Sequence, residues 1–140
     1  MSIATVLAPV FIQVLLSFVL LLATGRARVG SIKAGKVAVR DIALGERAWP
    51  PEVTRVANSY HNQFETPVLF YALVALALVT RQADLLFVLM SWAFVAARVA
   101  HAYVHATSNH VPTRFRLFLT GTIVLMLMWA VFAVKILVLA

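Results

Sequence analysis

The chain has 140 residues, 63% of them hydrophobic, and a mean hydropathy of +0.95. That is too apolar for a soluble domain of this length, and it points to membrane-spanning helices. There are no cysteines, which excludes a disulfide framework, a thiolate nucleophile and any cysteine-based metal or redox site. The formal charge of +7 does not by itself mean nucleic acid, because a basic excess in a membrane protein marks its cytoplasmic loops.

Four apolar runs follow one another. They are expected over about residues 3–24, 52–80, 85–105 and 114–139, as an all-α, four-transmembrane-helix antiparallel bundle in one membrane domain spanning 1–140. The first has no lysine or arginine before it and Arg26 and Arg28 after it. A cleaved signal peptide carries its charge in front, so this run reads as a retained helix that starts outside the cytoplasm.

The polar segment that follows contains seven basic residues between Arg26 and Arg55 and three acids, Asp41, Glu46 and Glu52. This net +4 makes it a cytoplasmic loop. Gly30-x4-Gly35-Lys36 nearly matches a phosphate-binding loop. However, Val37 stands where serine or threonine belongs, and the preceding element is an apolar helix rather than a strand.

The second run opens at Pro50-Pro51-Glu52 and is expected as one long helix kinked at Pro67. Arg55, Asn58, Asn62 and Glu65 are spaced 3, 4 and 3 apart, which stacks them on one helix face. A carboxylate in a membrane helix is costly and is a functional-site hypothesis whose partner must be sought.

The third run ends in Arg98, His101 and His105, spaced 3 and 4 on one face. It descends to the cytoplasmic side where the second run begins, so the two polar faces meet at one depth, and Glu65 can pair with Arg98 or accept from His101. Arg114 and Arg116 open the fourth run, and Lys135 reaches the outer side. Both termini then lie outside the cytoplasm.

Two plainer readings compete. The cluster could merely tie two helices together, but so many cationic and amide groups at one depth exceed what a staple needs. A metal site built on His101 and His105 is opposed by the surrounding arginines, so no metal is expected, and nucleic acid is excluded as a partner for want of a recognised fold.

Arg55-x6-Asn62-x2-Glu65-Thr66 resembles the helix-two signature of the MAPEG superfamily, the membrane-associated proteins of eicosanoid and glutathione metabolism. Arg98-Val-Ala-His101, followed by Arg114, resembles the signature of its microsomal prostaglandin E synthase branch, as does Thr24-Gly-x2-Arg28. The resemblance implies a homotrimer in the lipid bilayer, in a bacterial inner membrane, with glutathione as bound co-substrate near the cytoplasmic side. Arg28, Asn62, Glu65, His101 and His105 would contact glutathione, and Arg114 would stabilise its thiolate. Where that branch has a serine and a tyrosine after the arginine, this chain has Phe115 and Phe118. The implied activity is therefore glutathione transfer to, or peroxide reduction of, a hydrophobic substrate rather than an isomerase reaction. The alternative is a non-catalytic lipid- or partner-binding scaffold of the same fold.

Overall fold

The structure is a computed structural model and describes residues 1–45 and 47–139. It is all-helical, with no strand among the described residues, and four helical stretches are long and apolar enough to cross a membrane.

α1 spans Ile3–Lys33. Ser2 caps it by accepting from the Thr5 amide at 3.1 Å. The helix continues well past the expected end at Thr24, since nothing between Gly25 and Lys33 breaks it. It stops where Gly35 turns left-handed at φ +73°, with Gly35 N bonded to Ile32 O and Lys36 N to Ser31 O. That paired closure satisfies the last carbonyls, and glycine adopts the required φ without strain. At 1.5 Å per residue α1 is roughly 46 Å long against an apolar bilayer of about 30 Å, so its basic end projects beyond the membrane.

The second crossing is not one kinked helix. α2 spans Pro51–Asn62 and α3 spans Thr66–Val79, separated by Gln63, Phe64 and Glu65. In a continuous helix the nitrogen of Pro67 would have to donate to Gln63 O, and its ring would collide with that carbonyl. The chain instead tightens into three-residue turns, with Gln63 N, Phe64 N and Glu65 N bonded to Tyr60, His61 and Asn62 carbonyls. Glu65 consequently sits in a non-helical conformation at the head of α3 rather than inside a helix.

α4 spans Leu85–Ala106, with Asp84 accepting from the Phe87 amide at 2.9 Å. α5 spans Val111–Val134 and ends in a π turn, Lys135–Leu139. The α3–α4 and α4–α5 connections are short, and each turns through one left-handed residue, Arg81 and Asn109.

α4 and α5 pack most extensively, α1 lies against α2, α3 and α4, and α3 touches α5. The core joins Phe70, Leu73, Val74 and Ala77 of α3 to Phe87, Val88, Phe94 and Val95 of α4, with Val6, Leu125 and Met128 closing it. Phe70 and Phe94 stack with ring centroids 4.8 Å apart. Gly121 of α5 lies on the α4 contact, where a Cβ would stand 3.5 Å from the Ala97 Cβ, an ordinary packing distance. Large apolar side chains such as Leu22, Val79 and Leu89 point outward, where lipid replaces water as their solvent.

Candidate functional site

The end of the bundle at which α2 closes, α4 closes and α5 opens holds a cavity of about 480 Å³. Asn58, His61 and Asn62 of α2 and Glu65 of the break form one wall, and His101 and His105 of α4 form the second. Arg114 comes from the first turns of α5, beside Val111, Phe115 and Phe118. The α2 and α4 walls are thus polar, and the α5 wall sets one arginine among apolar side chains.

Each polar residue has a structural reason for its place. The break at Pro67 releases Glu65 from the α2 face to the exposed rim, where its Oε2 accepts from Asn62 Nδ2 at 2.8 Å. His101 and His105, one turn apart on α4, are both buried, with ring centroids 5.5 Å apart and edge-to-face. Their Nδ1 atoms have no hydrogen-bond partner among the described residues. His101 also leans on the Phe118 ring at 5.7 Å. Arg114 donates from Nη1 to Asn109 Oδ1 at 2.7 Å, so the left-handed Asn109 anchors the guanidinium at the start of α5. The N-terminus of that helix adds partial positive charge to the same place.

The expected pairing of Glu65 with Arg98 does not form: no ion pair links them among the described residues. The turn has carried Glu65 outward, while Arg98 is only 1% exposed and stays inside. Its Nη2 donates to Asn62 O at 3.1 Å, Asn62 Oδ1 at 2.5 Å and Gln63 Oε1 at 3.3 Å. Nor does Glu65 accept from His101.

Asn62, Glu65, His101, His105 and Arg114 therefore stand around one cavity, and Arg28 does not. Arg28 lies in a neighbouring space of about 680 Å³ with Arg47, Trp49 and Thr54, which shares Asn58 and His61 with the first. Its guanidinium lies 5.2 Å over the Trp49 ring. Among the described residues no three histidines or carboxylates gather in a way that could hold a metal ion.

Sequence reasoning takes Gln13 only as a tolerable interruption of the first apolar run and gives Gln63 no role. Gln13 Nε2 donates to Gln63 Oε1 at 2.9 Å, Gln63 Nε2 donates to Ser59 O at 2.9 Å, and Ser59 Oγ donates to Ala102 O at 3.1 Å. All three side chains are buried, and together they join α1, α2 and α4. The signal was present, since a lone glutamine in an apolar membrane run is an expensive group that needs a partner.

The fold and the cavity define a multi-pass helical membrane protein with a cation-bearing polar pocket at one end of its bundle. The chain belongs to the MAPEG family, whose model matches residues 6–134. That family includes glutathione transferases and peroxidases as well as non-catalytic members. No curated protein and no solved structure matches the chain.

Proposed function

We propose that the protein is a membrane glutathione transferase or peroxidase acting on hydrophobic electrophiles. The observation that carries this reading is the sharing of one cavity by Glu65, Asn62, His101, His105 and Arg114, with Phe115 and Phe118 as its apolar side. Glutathione carries an ammonium, two carboxylates and a thiol, and a cavity with one carboxylate and one arginine among histidines and amides matches that pattern. Glu65 accepts from the ammonium, and His101, His105 and Asn62 hydrogen-bond the peptide. Arg28, beyond His61 and Asn58, pairs with a carboxylate.

Arg114 then faces the sulfur. A thiol with a reference pKa of about 8.5 ionises more readily beside a fixed cation and a helix N-terminus, and the thiolate is the nucleophile. In transfer, the sulfur forms a bond to an electrophilic carbon and the leaving group departs with its electron pair. The thiol proton goes to solvent. The apolar walls at Phe115 and Phe118 receive the electrophile from the bilayer. The basic excess of the α1–α2 segment supports a cytoplasmic position for this end, and assembly as a homotrimer belongs to the same reading.

A second reading, a lipid- or partner-binding scaffold without catalysis, is favoured by one observation. Phe115 and Phe118 border the cavity beside Arg114 and offer no hydroxyl donors. Titration of the detergent-purified protein with glutathione, following ultraviolet thiolate absorbance, separates the two. A thiolate signal that is present in the wild type and lost in Arg114→Ala supports the enzyme. Absence of glutathione binding at millimolar concentration overturns it.

A further inference from the structure

Arg98 is buried to 1% exposure within a membrane-crossing helix, has no carboxylate within ion-pair distance among the described residues, and does not line the cavity. Its Nε and Nη1 have no hydrogen-bond partner among those residues. A guanidinium is among the most expensive groups to bury in a membrane helix, and interhelical hydrogen bonds return little of that cost. A helix staple alone would be made better by a neutral amide. What the arginine does that an amide cannot is decide an orientation.

A guanidinium has donors only. The atom of the Asn62 side chain that faces Arg98 Nη2 at 2.5 Å must therefore be the carbonyl oxygen. The amide has two ends, so the NH2 group must face the other way, and there it donates to Glu65 Oε2 at 2.8 Å. The second carboxylate oxygen, Oε1, carries no hydrogen bond from a described residue and is left to accept from a ligand. Arg98 Nη2 also bonds the Asn62 backbone carbonyl, holding the last turn of α2 in register with the side chain. With an apolar group at position 98, the Asn62 oxygen and backbone carbonyl lose their anchor, and the side chain is free to leave this rotamer together with the carboxylate it holds.

We infer that Arg98 is a positioning residue: by locking the Asn62 amide it aims the Glu65 carboxylate at a cationic amine of the ligand. The inference rests on the glutathione reading for the identity of that amine. Its geometry, Arg98 to Asn62 to Glu65, stands without it.

The test uses the full chain in detergent as wild type, Arg98→Met, Arg98→Lys and Asn62→Asp. Each is titrated with glutathione and with the analogue lacking only the γ-glutamyl amino group. Arg98→Met is expected to weaken glutathione about tenfold and leave the deamino analogue within about twofold, with Arg98→Lys intermediate. Asn62→Asp keeps an acceptor for Arg98 but sets a carboxylate against Glu65. It should hold or raise thermal stability while lowering amine-selective affinity, the opposite of what loss of a staple does. Equal loss of both ligands in these variants overturns the inference.

A ligand-free measurement keeps the two readings apart. The Asn62 side-chain amide protons, identified by their loss in Asn62→Asp, should exchange slowly with solvent in wild type and faster in Arg98→Lys and Arg98→Met. If wild type binds neither ligand, the glutathione reading fails and this exchange rate alone decides the role of Arg98. Unchanged exchange in both Arg98 variants overturns it.

Discussion

Lys135, just past the last turn of α5, donates to Oδ2 of Asp84, whose Oδ1 caps the first turn of α4 at the Phe87 amide. One carboxylate thus closes the end of the bundle away from the cavity. The Lys135 hydrogen bond and then the Phe87 amide hold the Asp84 carboxyl below its ordinary range. A depressed folded pKa stabilises the fold above the unfolded value, about 3.9, and that contribution is lost as pH falls through the lower folded value. Asp84→Asn should therefore lower the thermal midpoint at pH 7, and its deficit against wild type should shrink below about pH 4. Asp84→Ala removes the helix cap as well, at a further cost of about 1 kcal/mol. Thermal unfolding in detergent at both pH values checks both; a deficit independent of pH refutes the assignment.

The buried glutamines make unequal contributions. Gln13 has one hydrogen bond, through Nε2, and its Oε1 has no partner among the described residues. Gln13→Leu should cost little, about 0.6 kcal/mol, the average for an interhelical polar contact in a membrane. Gln63 accepts from Gln13 and Arg98 and donates to Ser59 O. Gln63→Leu leaves Arg98 with one partner fewer and should cost about 2 kcal/mol. Denaturant titrations of the two variants rank them, and the reverse order would show that the network is not centred on Gln63.

Gly121 faces Ala97, Phe94 and the Arg98 side-chain stem. A methyl group there meets only ordinary van der Waals neighbours, so Gly121→Ala should be nearly neutral. Gly121→Leu should part α4 from α5 and cost about 1–3 kcal/mol through overpacking. Because Arg98 lies on the same contact, the larger variant should also reduce glutathione affinity, which binding measurements on the two variants can compare.

Pro67 makes the break that puts Glu65 on the rim. In Pro67→Ala the restored amide can donate to Gln63 O and allow α2 and α3 to fuse. Helical content by circular dichroism should rise slightly while glutathione affinity falls about tenfold, as Glu65 turns away from the cavity. Retained affinity would mean that the Asn62–Glu65 hydrogen bond suffices to hold the turn.

Some of this was readable in the residues. Runs of apolar side chains can satisfy their backbone in lipid only as helices, so composition and run length determined four membrane-crossing stretches. The 3–4 spacing of Asn58 and Asn62, and of His101 and His105, placed each pair on one helix face. The direction of neighbouring helices then brought the two pairs to one depth. Periodicity works here because it depends on a single helix and its repeat.

The tertiary structure decided what depends on two helices at once. Periodicity carried Asn62 and Glu65 forward as one stripe seeking a cation. Instead, the missing amide of Pro67 broke the helix between them, and Asn62 became the link between an inward Arg98 and an outward Glu65. Gln13 and Gln63, fifty residues apart, meet only because α1 packs on α2. Arg28 carries the same charge as Arg114, yet it faces a different space, because α1 runs on past the membrane with its basic end beside Trp49. Spacing along a chain determines a face; which neighbour that face meets is settled by packing.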